Sequence, residues 1–179
     1  FNNFGVPVFD ADACVHKFLQ IKGSLVNTIG NIFPKSIKKS NGNKYIDRKV
    51  LGDIVFRDKE KRKILEDIIH PEVNNQRKKW KYFVQREGYR VICFDVPLLF
   101  ETKGEKYCDY IVVASCPFFI QKQRVLARKN MTMQKFYHIL NNQISDHVKR
   151  KKADFVINTG NGYRFSRNQV NNVINKIIL

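Results

Sequence analysis

The chain has 179 residues, 43% of them hydrophobic, which suits one domain with insertions and a real core. Its 33 Lys and Arg against 16 Asp and Glu give a formal charge of +17. That balance selects anionic partners (nucleotides, cofactor phosphates, nucleic acid or an acidic membrane face) without choosing among them. No apolar run reaches membrane-spanning length and no signal-peptide pattern is present. Cys14, Cys93, Cys108 and Cys116 form no CxxC pair, which argues against zinc and against a disulfide framework. A cytoplasmic protein with reduced cysteines is expected.

Residues 6–9 read as a short strand ending in Asp10-Ala11-Asp12. Val15, Phe18 and Leu19 then have helical spacing, continued by Leu25, Val26, Ile29, Ile32 and Phe33 until Pro34 closes the helix. Residues 35–44, rich in Lys, Ser, Asn and Gly, are expected to form a surface loop. A helix from Asp47 places Val50, Leu51, Ile54 and Val55 on one face. Asp58 is the expected N-cap of the next helix, with Ile64, Leu65, Ile68 and Ile69 as its stripe. His70-Pro71 is expected to break that helix, Pro71 opening a further one through Trp80 and Val84.

Residues 91–94, VICF, form an uninterrupted apolar run between Gly88 and Pro97. It reads as a strand buried on both faces, as in a parallel sheet covered by helices. Asp95 and Glu101 follow at and just beyond its carboxyl end, the edge where open α/β sheets bind ligands. Residues 110–115 are a second buried strand, 118–129 a basic helix and 133–142 another helix. A positive run at 149–152 precedes a last strand at 154–158, and Val170, Val173, Ile174, Ile177 and Ile178 form the stripe of a closing helix. Alternating strands and helices predict an α/β fold with a parallel sheet. The expected parts are a sheet core from 1–12, 88–117 and 153–179, a helical insertion over 13–87 and a basic helical flap over 118–152.

Several of these residues can carry chemistry. If strand geometry continues through Asp10 and Asp12, both carboxylates point to one side. Such a pair suits one general base beside a group that binds metal or orients. A DxD pair is also a common helix cap or turn. Gln121, Arg124 and Arg128 fall on one helix face, and the planar fork of Arg bonds two phosphate oxygens at once. An ordinary solvated face has the same appearance. His70 before Pro71 suits an acceptor site or a structural junction, whereas His16, His138 and His147 form no ligand-spaced group. There is no GxSxG elbow and no HExxH helix.

Taken in order, GVPVFDAD (5–12), DRKVLGDIVF (47–56), IIHP (68–71), DVPLLFE (95–101), QKQRVLAR (121–128) and KKADFVINTG (151–160) resemble the dephospho-coenzyme A kinase family. The resemblance covers nearly the whole chain. Adenylate and other nucleoside monophosphate kinases share the architecture but not this set. It implies a P-loop, nucleoside-monophosphate-kinase-like fold in which 13–87 is a helical domain for the coenzyme A acceptor and 118–152 a lid. It also implies transfer of the γ-phosphate of ATP, with Mg²⁺, to the ribose 3′-hydroxyl of dephospho-coenzyme A, the last step of coenzyme A biosynthesis. Asp12 would be the base, with Asp10 beside it organising magnesium-bound water, and no residue is assigned as a direct metal ligand. Arg124 and Arg128 would close over the phosphates of ATP. Arg48, His70 and Glu101 match motif positions near the acceptor, and Asn158 and Gly160 would lie near the adenine. These roles agree with phosphoryl transfer, which needs positioning and charge neutralisation more than covalent chemistry.

The family opens with a strand, a GxxxxGK[ST] phosphate loop and a helix, and no GK[ST] occurs in this sequence. That segment, roughly 20 residues, is expected to precede Phe1. The alternatives are another P-loop nucleotide kinase, or a non-catalytic basic module for RNA or DNA, suggested by the charge and the 149–152 run. The carboxylates Asp10, Asp12, Asp95 and Glu101 at strand ends argue against a nucleic-acid surface, and no nucleic-acid-binding motif is present.

Overall fold

The computed structural model describes every residue except Arg57, Asn130 and Leu179. In chain order the first elements are β1 (Val8–Asp10), α1 (Ala11–Leu19), α2 (Val26–Ile32), β2 (Ile37–Ser40), β3 (Asn43–Ile46), α3 (Arg48–Phe56), α4 (Lys59–Arg86) and β4 (Cys93–Asp95). They are followed by β5 (Val112–Ser115), α5 (Phe118–Leu126), α6 (Met133–Asn141), α7 (Asp146–Lys152), β6 (Phe155–Asn158) and α8 (Tyr163–Ile178). The chain divides into two units, Val6–Val96 and Phe1–Gly5 with Pro97–Leu179. The α/β class with parallel strands flanked by helices is as expected.

In the unit Val6–Val96, Pro7 decides where the parallel ladder begins. Its carbonyl accepts from the Cys93 N–H at 2.8 Å, but it has no N–H to extend the ladder backwards. β4 therefore starts two residues later than the apolar run, pairing Val8 with Cys93 and Asp10 with Asp95. Phe9, Phe94 and Trp80 meet with ring centroids 5.6–6.3 Å apart, which seats α4 on the ladder. Leu19, Val26, Ile29, Phe33, Ile46 and Leu51 form a buried core in this unit, with Leu65, Ile68 and Ile69 of α4 packed against it.

Three local expectations change here. The helical spacing across 13–33 is interrupted, because α1 ends at Leu19 and α2 begins at Val26. Gly23 sits in the turn where any Cβ would collide with the Phe18 carbonyl oxygen, so only glycine fits. The segment read as a loop is largely the antiparallel hairpin β2–β3. Asn41 and Gly42 both have positive φ (48° and 76°), the geometry of a type I′ turn, and Asn-Gly is its sequence signature. The hairpin buries Ile46 and half-buries Ile37 while its lysines face solvent, which hides the strand pattern. Finally, α4 runs unbroken through Pro71 over 28 residues. The proline removes one backbone hydrogen bond, but packing anchors the helix on both sides of it: Leu65, Ile68 and Ile69 before, Trp80 after.

In the other unit, β5 and β6 are parallel, in register from Val112 with Phe155 to Ser115 with Asn158. The Asp154 carboxylate accepts from the Ile111 N–H at 2.7 Å at the entrance to this ladder. Gln169 and Ser166 of α8 bond the backbone of Asn158, and Val173 and Ile174 are buried. Thr132 caps α6 and Ser145 caps α7. The basic run ends α7, where cations favour the helix dipole. No helix among the described residues is long and apolar enough to cross a membrane.

Candidate active site

The ladder of β1 and β4 sets Asp10 directly opposite Asp95 at the carboxyl ends of both strands. Asp10 is also the N-cap of α1, its Oδ1 accepting from the Ala13 N–H at 2.8 Å. Strand alternation therefore does not continue through the DxD pair. Asp12 stands in the first turn of α1, exposed, at the positive end of the helix. Burial, and then the negative charges of Asp10 and Asp12, push the Asp95 carboxyl above its usual range. The three carboxylates thus share one electrostatic environment, although Asp95 itself still reaches solvent. Arg48 opens α3 and His70 lies in the middle of α4; both are exposed. A cavity of about 670 Å³ opens beside Asp10 between α1 and α4, with Lys17, Lys79 and Trp80 in its wall.

In the unit of Pro97–Leu179, Arg124 reaches across from α5 to the loop after β6, donating to the Thr159 carbonyl at 2.9 Å and its hydroxyl at 3.5 Å. Thr159 is itself held by the Ser115 carbonyl. Arg128 lies just beyond α5, exposed. Asn158 Oδ1 accepts from the Gly160 N–H at 2.8 Å, forming a tight Asx turn. A Cβ at Gly160 would stand 2.9 Å from Pro117 Cδ and 3.1 Å from Asn158 Oδ1, so the approach of this turn to α5 requires glycine. A cavity of about 660 Å³ lies at the carboxyl ends of β5 and β6. Gln121, Asn141, Gln143, Asp146, Arg150 and Asn158 supply its polar wall. Glu101 contacts the segment between α6 and α7, its Oε1 accepting from the Ile144 N–H at 3.0 Å and lying 3.5 Å from Lys149 Nζ.

Sequence reasoning missed four participants: Thr159 as the perch of Arg124, the bond from the Ser115 hydroxyl to Asp146 Oδ2 (2.9 Å), Lys149 as partner of Glu101, and Arg150 in the cavity wall. The signal for the last two was the 149–152 run, whose members separate onto different faces once α7 forms.

A family model described as dephospho-CoA kinase matches residues 1–164. The dephospho-CoA kinase of Bartonella henselae is 40% identical over 178 residues, covering 99% of this chain and 89% of the relative. That of Novosphingobium aromaticivorans is 43% identical over 156 residues, or 87% of this chain and 75% of the relative. Among solved structures, dephospho-CoA kinase from Campylobacter jejuni superimposes with a TM-score of 0.68 at 30% identity, covering 98% of this chain and 87% of that one. TT1252 from Thermus thermophilus has a TM-score of 0.79 at 24% identity, covering 99% and 87%, a likeness of fold. Motif order, a parallel ladder ending in the paired carboxylates Asp10 and Asp95, and full-length similarity agree: the chain belongs to the dephospho-CoA kinase family.

Proposed function

We propose that this chain transfers the γ-phosphate of ATP to the ribose 3′-hydroxyl of dephospho-coenzyme A, the last step of coenzyme A biosynthesis, with Asp12 as the base. The observation that carries the reading is Asp12 itself, exposed at the start of α1 directly beyond β1 and beside Asp10 and Asp95. An exposed carboxylate at a helix start can accept the hydroxyl proton without first breaking a buried contact. Asp10 keeps Oδ1 on the helix cap and has Oδ2 for a water or a hydroxyl. Arg48 and His70 serve the acceptor domain of 13–87, and 118–152 is the lid. Arg124 exchanges its neutral bonds to Thr159 for charge-assisted bonds to phosphate, which are stronger, and Arg128 supports it. Asn158 and Gly160 shape the turn that receives the adenine.

Among the described residues no three His, Cys, Asp or Glu side chains are grouped to chelate a metal. Mg²⁺ bonded mainly to phosphate oxygens and water would need only a carboxylate beside its water shell, and Asp10, whose Oδ2 is not used in the helix cap, would supply it. When bound, the ion neutralises phosphate charge. The scattered cysteines suit the reducing cytoplasm.

The test uses the protein with its native N-terminus, ATP and dephospho-coenzyme A, and locates the new phosphate by ³¹P NMR. The expected product carries it on the 3′-oxygen, and the 3′-deoxy analogue is inert. Phosphate on another atom, or turnover of the 3′-deoxy analogue, overturns the assignment.

A further inference from the structure

Phe100 and Glu101 end the DVPLLFE motif, and both side chains reach α7 or the linker before it. Glu101 Oε1 accepts from the Ile144 N–H in the linker between α6 and α7 and pairs with Lys149 on α7. Both side chains of that ion pair are only 18% exposed. One turn further along α7, Lys152 Nζ lies 5.5 Å over the Phe100 ring. Lys149 and Lys152, three apart, are thus one face of α7, fastened to two adjacent residues. Asp146 and Arg150, four apart, form another face, which lines the cavity at the ends of β5 and β6. Asp146 is itself bonded to the Ser115 hydroxyl at 2.9 Å.

We propose that Glu101 is a positioning residue: by holding the Ile144 amide and Lys149, it fixes the rotation of α7 so that Arg150 faces the nucleotide cavity. This rests on the proposed adenine site at the Asn158–Gly160 turn, since Asn158 lines that cavity. The carboxylate is well placed for the task. Its Oε2 is buried and takes no hydrogen bond from a described residue, so the charge is balanced at Oε1 alone. Losing Lys149 leaves that charge uncompensated, and losing Glu101 frees the linker and α7 together. A helix turned by one residue swings a side chain through about 100°, enough to take Arg150 out of the cavity wall.

The test compares Glu101→Gln, Glu101→Ala, Lys149→Met and the Gln/Met double variant in the protein with its native N-terminus. Glu101→Ala should raise the KM for ATP about tenfold, the equivalent of one ordinary contact to the nucleotide lost when Arg150 leaves the cavity wall. The KM for dephospho-coenzyme A should stay within about twofold, because Glu101, expected from its motif near the acceptor, bonds the α6–α7 linker and Lys149 instead, and Asp12 and the 13–87 helices are untouched. Glu101→Gln keeps an acceptor for Ile144 and should be milder, with Lys149→Met adding little to it. Amide exchange over 144–152 should quicken in each variant while that of β5 and β6 does not. If Glu101→Ala does not fold, Glu101→Gln and Lys149→Met make the same comparison. A rise confined to the KM for dephospho-coenzyme A, strictly additive effects, or unchanged exchange over 144–152 would overturn the proposal. A wild-type protein with no ATP-dependent activity refutes the kinase reading instead, and the exchange comparison still tests the link.

Discussion

Asp10 has two tasks that substitution can separate. Its carboxylate caps α1 through the 2.8 Å bond to the Ala13 N–H, and it adds negative charge opposite Asp95. Asp10→Ala removes both. Loss of an N-cap costs about 1 kcal/mol, with a range of roughly 0.5–2 kcal/mol. Relief of repulsion from Asp95 returns only a few tenths of a kcal/mol, because exposed charges are well screened. The net loss should be close to 1 kcal/mol, a sizeable share of the roughly 5–15 kcal/mol that holds a domain folded. Asp10→Asn keeps a capping oxygen but not the charge, so its stability should lie within about 0.5 kcal/mol of wild type. Urea unfolding with an unchanged m-value reads the first task, and steady-state turnover reads the second. Both variants should lose turnover, and only alanine should lose stability. If Asp10→Asn unfolds as easily as Asp10→Ala, the cap is not what the carboxylate supplies. If Asp10→Asn turns over like wild type, the cap is all it supplies.

Three further outcomes follow from packing and charge. Ile29 has 0% exposure in the buried core of its unit, so Ile29→Ala should cost about 2–5 kcal/mol and Ile29→Val about 0.5–1.5 kcal/mol in urea unfolding; equal losses would refute a close-packed site. Arg124→Lys keeps the charge but loses the fork, so kcat should fall more than substrate affinity does; wild-type kcat at saturation would reduce Arg124 to a surface charge. The Asp95 carboxyl is raised from its ordinary 3.8, so the folded protein holds that proton more tightly than the unfolded chain. Stability should therefore fall as pH rises through the range just above 3.8, and Asp95→Asn should remove that fall; a fall that persists in the variant assigns it to another group.

The chain's organisation was legible wherever a strong periodic pattern met a clear stop. The Asp58 cap and the body of α8 stand where the pattern put them, whereas the strand after Gly5 and the YIVVAS strand each begin two residues later, at Val8 and Val112, and Ile178 of the closing stripe is exposed. What failed were places where tertiary contacts override a local rule. Pro71 reads as a helix end, yet α4 continues through it, packed through Ile68 before it and Trp80 after it. The lysine-rich hairpin was invisible to alternation because only Ile37, Tyr45 and Ile46 of its strands are withdrawn from solvent, although Asn41-Gly42 announced its turn. In the site, residue types were readable and directions were not. The DAD motif draws attention to Asp12, but its place on a helix rather than a strand follows from Asp10 capping α1. The ties of Glu101 to Ile144 and Lys149 span more than forty residues of chain, and no local pattern carries them.

The central claim is that Asp12 takes the proton of the acceptor hydroxyl. The most direct measurement is single-turnover phosphorylation of dephospho-coenzyme A by Asp12→Asn, in the protein with its native N-terminus and at saturating ATP. The variant keeps its place in the first turn of α1 and loses only the basic oxygen. The phosphoryl-transfer rate should fall by about two to four orders of magnitude, the usual worth of a general base, with little change in ATP affinity. A transfer rate close to that of wild type would contradict the account.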